Sequence, residues 1–165
     1  MPVTEIQFAI TNEGYEYIIN NIASSLPIKI KTFRIANNGD DTHYESLKNY
    51  LPLNDDAPPH PSTCSFYLEY TAQNFYTRSS STIVNLISDG ISDSSGYINI
   101  NTINKYSWNA MEIECYIPPT PSSAAFTINE MMIYTDSGVS FAYGVFPEIN
   151  KNPQYGLNLS IIIPL

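Results

Sequence analysis

The order of apolar and polar side chains divides the chain into one helical stretch and a series of extended ones. Residues 3–10 alternate, with Ile6, Phe8 and Ile10 on the side that faces a core, and this predicts an opening strand. Thr11 then supplies an N-cap oxygen and Glu13 and Glu16 lie where the helix dipole favours acids. Tyr15, Ile18, Ile19, Ile22 and Ala23 recur at helical spacing, so an amphipathic helix is predicted whose apolar stripe is buried. Ser24-Ser25-Leu26-Pro27 ends it, because the residue before a proline is disfavoured in the helical region. A strand is expected over 28–36, with a change of apolar phase between Ile30 and Phe33 of the kind a bulge produces.

The chain turns polar and irregular over 37–63, where Asn38-Gly39 signals a turn and Pro58, Pro59 and Pro61 exclude regular structure. Beyond this loop the period is two. Cys64, Phe66, Leu68 and Tyr70 alternate with polar neighbours, residues 82–87 form a short apolar segment, and residues 97–103 alternate again. Met111, Ile113, Cys115 and Ile117 oppose Glu112, Glu114 and Tyr116. Residues 126–134 and 139–146 flank the turn Thr135-Asp136-Ser137-Gly138, a strong hairpin signal. Leu157, Leu159, Ile161 and Ile163 mark a terminal strand, and Ile162 gives it an apolar residue on the second face as well. No repeat or linker interrupts residues 1–165, so one domain is expected. Its class is α+β: a mainly antiparallel sheet, as a sandwich or half-open barrel, with one helix on a face.

Composition changes the picture in two ways. Charged residues are only 14% of the chain, against roughly 25% in an average soluble domain, so Asn, Ser and Thr supply much of the polar surface. Seven Lys and Arg against 16 Asp and Glu give a net charge of −9, which argues against a nucleic-acid partner. No basic residue precedes Lys29 and no long apolar run is present, so neither a secretory signal nor membrane insertion is expected. Cys64 and Cys115 lack metal-site spacing and read as buried free thiols, with a disulfide or a reactive thiol as the alternative.

Candidate chemistry is sparse. The glycine-rich phosphate loops, the zinc-protease helix and the serine nucleophile elbow are all absent from the sequence. His43 and His60 stand beside Asp40, Asp41, Glu45, Asp55 and Asp56, but at no recognised ligand spacing, and a solvated acidic loop is the expectation. Glu112 and Glu114 share a strand face, as glycosidase carboxylates would, yet an exposed strand of an acidic protein commonly does the same. Asp89, Asp93, Ser94, Ser95 and Gly96 have the composition of a calcium loop without its order and read as a turn. No catalytic, cofactor or metal residue is therefore assigned.

Two features favour binding instead. Lys29, Lys31 and Arg34 concentrate three of the seven basic residues in one strand, either as the guard of a solvated edge or as a docking surface for an acidic partner. Thirteen tyrosines accompany the single Trp108, and Tyr44, Tyr50, Tyr97, Tyr106 and Trp108 fall in loops or at strand ends. They suit core and rim packing, a subunit interface, or a glycan platform.

Two stretches carry a resemblance. Ile10-Thr11-Asn12-Glu13-Gly14, the helix ending Ala23-Ser24-Ser25-Leu26-Pro27, and the strand from Ile28 through Arg34 to Asn37-Asn38-Gly39 form the first. Ile128-Asn129-Glu130-Met131-Met132-Ile133-Tyr134-Thr135-Asp136-Ser137-Gly138 with Phe141-Ala142-Tyr143-Gly144-Val145 and Lys151 forms the second. In this order they resemble the N-terminal, baseplate-attachment domain of bacteriophage tail-fibre or tail-collar fibre proteins, although Met132 stands where that family usually has glycine. The motif positions are Gly14, Gly39, Glu130, Tyr134, Gly138, Gly144 and Lys151. The resemblance implies a virion structural protein, a tail fibre or a fibre-to-baseplate adaptor. It would be assembled in the bacterial cytoplasm, bound to other tail or baseplate proteins, and form a homotrimer, with Ile161, Ile162 and Ile163 as candidate subunit contacts. A small carbohydrate-binding module recognising a bacterial surface glycan is the alternative.

Overall fold

The computed structural model describes residues 3–37, 69–70, 76–77 and 84–165. In chain order the elements are β1 (Val3–Gln7), β2 (Ala9–Ile10), α1 (Asn12–Ala23), β3 (Ile30–Ala36), β4 (Glu69–Tyr70), β5 (Tyr76–Thr77), β6 (Ile98–Asn99), β7 (Thr102–Ser107), β8 (Ala110–Ile117), β9 (Phe126–Thr135), β10 (Ser140–Lys151) and β11 (Leu157–Pro164). One sheet runs β1-β11-β8-β7 and the other β2-β10-β9-β3-β6, while β4 and β5 pair with each other. In the two larger sheets every pairing is antiparallel except that of β1 with β11. The architecture is the α+β class expected, an open sandwich rather than a barrel.

The sheets share one core because the alternating strands turn their apolar sides inward. Ile113, Cys115, Ile117, Leu159, Ile161 and Ile163 from the first meet Phe33, Ile35, Met131, Ile133, Phe141 and Phe146 from the second, all fully buried. Cys115 is a free thiol in this core, and burial raises its pKa far above the ordinary value, so it stays protonated and unreactive.

Two runs read as single strands pass from one sheet to the other. The opening run breaks at Phe8, whose N–H donates to Ile162 O at 2.9 Å, so that β1 joins the first sheet and β2 the second. Residues 97–103 split likewise. Ile100 N donates to Lys31 O and Asn101 N to Glu114 O, placing β6 beside β3 and β7 beside β8. The segment expected as a strand over 82–87 is corrected: its described part is irregular and leads into a helical turn at Ile87–Asp89. Side chains take over its backbone there. Asn85 Oδ1 accepts from Ile87 N and Ser92 Oγ from Leu86 N, both at 2.9 Å, bonds that compete with a ladder.

The helix starts where the cap predicts, with Gly14 N donating to Thr11 Oγ1 at 2.9 Å and the Thr11 hydroxyl donating to Ser140 O at 2.8 Å. Its packing departs from the expected stripe. Gly14 is buried and Tyr15, Tyr17 and Ile18 are half-buried against the core, whereas Ile19, Ile22 and Ala23 are exposed. The contact is made by the N-terminal half of the helix, against β10. Of the loop expected at 37–63, only residue 37 is described, so Gly39, Tyr44, Tyr50, His43 and His60 lie outside the described residues, as does Cys64.

Candidate docking surfaces and the cluster behind them

Strand β3 is not the solvated edge that its lysines suggest. It pairs with β9 on one side, while β6 and the chain at Val84 and Ile100 occupy the other. The register shift between Ile30 and Thr32 is the bulge expected there. Lys29 and Lys31 are exposed, but Arg34 is buried and is thereby removed from any basic docking surface.

Arg34 stands opposite Met132, which stands opposite Tyr143, so these three residues form a row across the face of the second sheet that looks away from the shared core. By the two-residue period of β9, Glu130 and Tyr134 belong to the same face. The Arg34 guanidinium carbon lies 4.0 Å from the Tyr97 ring centroid and 5.5 Å from that of Tyr134, the two rings meeting edge-on at 4.9 Å. Its Nε donates to Ser95 O at 3.0 Å, and the Tyr143 hydroxyl donates to Glu130 Oε2 at 2.5 Å. Burial, above all, pushes the Tyr134 hydroxyl well above the ordinary tyrosine range, so it remains protonated. This cluster clamps the turn at residues 93–97 onto the sheet. Asp93 Oδ1 accepts from Ser95 N at 2.8 Å and from Tyr97 N at 3.0 Å, which makes the calcium-like sequence a side-chain-stabilised turn.

The motif glycines mark close approaches. A Cβ on Gly14 would lie 2.3 Å from Phe141 O, and one on Gly144 would lie 2.2 Å from Phe8 Cδ1. Gly138, at φ +83°, makes the β9–β10 turn in the left-handed region. Lys151 is buried at the end of β10, where its Nζ donates to Asn152 O at 2.8 Å. Desolvation lowers its pKa, and Asp89 partly restores it. Asp89 in turn accepts from Ser122 N at 2.8 Å and from the Ser123 hydroxyl at 2.6 Å. The Arg34–Tyr97 and Lys151–Asp89 relationships join separate parts of the chain and leave no local trace in the sequence.

Three surfaces remain open among the described residues. Trp108 sits at the tip of the two-residue β7–β8 turn and is 89% exposed, with Tyr106 and Ile103 exposed along the edge strand β7. The wet face behind it is a ladder: Glu112 accepts from the Ser160 hydroxyl and Asn104, and Glu114 from Thr102. Those bonds hold the Glu112 carboxyl below the ordinary range, Ser160 contributing most, which removes it as a general acid at neutral pH. The third surface is the C-terminal end of α1, with exposed Ile19, Ile22, Leu26 and Ile28. Its sequence signal is an apolar stripe wider than one contact can bury. By contrast, Ile161 and Ile163 face the chain's own core on a strand flanked by β1 and β8, which corrects their assignment to a subunit contact, and Ile162 is half-buried on the other face.

Among the described residues no group of three His, Cys, Asp or Glu side chains is placed to hold a metal ion, and no helix is long and apolar enough to cross a membrane. No family model, curated protein or solved structure matches the chain.

Proposed function

We propose that this chain is a virion structural protein of a tailed bacteriophage, a tail fibre or fibre-to-baseplate adaptor that works by oligomeric docking and not by catalysis. The observation that supports this reading is that the two stretches resembling the tail-fibre attachment domain, more than ninety positions apart between Arg34 and Met132, build one unit. They supply β2, α1 and β3 on one side and β9 and β10 on the other, and the strands lie in the order β2-β10-β9-β3. Of the motif residues, Gly14, Glu130, Tyr134 and Gly144 make close contacts inside that unit, and Gly138 forms the turn between β9 and β10. A scaffold stabilised in this way leaves its exposed apolar and aromatic side chains for contact with neighbours. Deleting the gene tests the proposal: tails that lack fibres support it, and particles with a full set of fibres overturn it.

A second reading rests on Trp108. An indole this exposed at a hairpin tip is a stacking surface for a sugar ring, and it supports a carbohydrate-binding module as the alternative. Loss of glycan or cell binding by Trp108→Ala, with fibres intact, would favour that reading.

A further inference from the structure

Strand β7 ends the first sheet, with β8 on one side and, among the described residues, no strand or backbone bond on the other. At six residues it is the longest sheet edge described: β1 has five, and β2, β4, β5 and β6 have two each. Thr102 through Tyr106 are all exposed, and Lys105 is the one charge among them. An edge of this length presents a row of unpaired backbone N–H and C=O groups, and what satisfies such a row is another extended strand. Within the sheet Ile103 stands opposite the core residue Ile113, while Asn104 stands opposite Glu112 on the outer face. Asn104 donates one amide N–H to Glu112 Oε1 at 3.2 Å, which leaves its second N–H and its Oδ1 for a neighbour beyond the edge.

We infer that the strand added to this edge is β7 of a second copy of this chain, antiparallel about a two-fold axis that passes through Asn104 normal to the sheet. Such an axis joins two four-stranded sheets into one of eight strands and keeps each face on its own side. Only residues of the same parity can then stand opposite each other, so the centre falls on a residue and not between two. A centre on Ile103 or Tyr106 pairs only three residues of the strand. A centre on Lys105 sets lysine against lysine and drives the ladder through the register shift between Lys105 and Ser107. A centre on Asn104 pairs five residues, from Thr102 to Tyr106, and stops before Ser107. It sets Asn104 against its own copy, amide to amide, and places Ile103 beside the aliphatic stem of Lys105 of the other copy, twice. What selects a second copy over a foreign strand is that one register satisfies at once the parity, the single charge and the half-used Asn104 amide. Glu112 and its copy are then three strand spacings apart, about 14 Å, which exceeds the screening length of about 8 Å at physiological salt, so the acidic faces do not oppose the contact. The inference does not depend on either reading of function above.

Light scattering on the full chain after size exclusion tests it. At about 100 µM, where a contact of micromolar strength is populated, the wild type is expected at twice its 18.5 kDa mass. Ile103 is exposed and lies outside the core cluster, so its variants should keep the circular dichroism of the wild type. Ile103→Lys sets lysine against Lys105 at two places and should weaken the dimer about twofold to thirtyfold, and adding Lys105→Glu should restore it. Ile103→Glu sets opposite charges at the same two places and should strengthen the dimer by a factor of about the same size. Opposite signs from two charged substitutions at one position separate this register from a general disturbance of the strand. A monomeric wild type, a trimer, or a dimer that both Ile103 variants weaken or that neither moves would each overturn the inference.

Discussion

Phe8 fills the space in which a side chain on residue 144 would lie: a Cβ on Gly144 would come within 2.2 Å of Phe8 Cδ1 and 2.3 Å of Cε1. The ring is fully buried where the chain leaves the first sheet and enters the second, so the contact pins the crossing point to β10. Gly144→Ala must displace the ring or the strand. It is expected to cost about 1–3 kcal/mol, as overpacking of a close-packed core does, and chemical denaturation would measure it. Stability equal to wild type would show that the ring moves aside freely.

Arg34 gives a second test. Truncation to Ala removes the stacking on Tyr97 and Tyr134 and the bond to Ser95 O and opens a cavity, with an expected loss of about 2–4 kcal/mol. Arg34→Lys keeps the charge but not the planar fork, and should recover less than half of that loss. Full recovery by Lys would mean that charge alone matters there.

Strand alternation, the Thr11 cap, the Gly138 turn and the bulge in β3 were legible because each depends on residues within a few positions of one another. The role of Arg34 was not. A strand buried on both faces hides its second face behind polar residues, and Glu130 and Arg34 look like solvent-facing residues until Tyr143 and Tyr97 are brought to them by distant parts of the chain. The two sheet crossings, at Phe8 and at Ile100, keep the alternation unbroken, so period alone cannot reveal them. For α1, periodicity found an apolar stripe but could not say how much of it the chain itself would cover, because that is set by the close approach of Gly14 to Phe141.

Ser25 closes α1 with the left-handed φ of 56°, while Leu26 N donates to Asn21 O at 2.8 Å and Ser25 N to Ile22 O at 3.2 Å. This is a Schellman ending with a side chain where glycine is preferred. Ser25→Gly relieves the strain at some cost in unfolded-chain entropy and should stabilise by up to about 1 kcal/mol. A lower melting temperature would contradict this.

Acid sensitivity has a defined origin in Asp89. Its bonds to Ser123 and Ser122 lower its pKa below the ordinary 3.8, so the stability it contributes is present above that value and is lost as the pH falls through the folded-state pKa. Glu112 acts in the same direction below 4.5, and Glu13, raised by burial and then by Glu16, acts in the opposite one. Asp89→Asn should therefore flatten the fall in stability below about pH 4. An unchanged acid limb would show that the Asp89 bonds carry none of it.

Trp108→Ala removes an indole that the fold does not use, and the unfolding free energy of the variant, measured by chemical denaturation, should stay within about 0.5 kcal/mol of wild type. The effect should appear in docking: reduced incorporation into particles on the attachment reading, reduced glycan binding on the carbohydrate reading.

The central proposal is tested most directly by quantitative mass spectrometry of purified particles, counting copies of this chain against the major capsid protein. The account predicts its presence in a fixed number of copies that is a multiple of the tail's rotational symmetry. Absence from intact particles would contradict it.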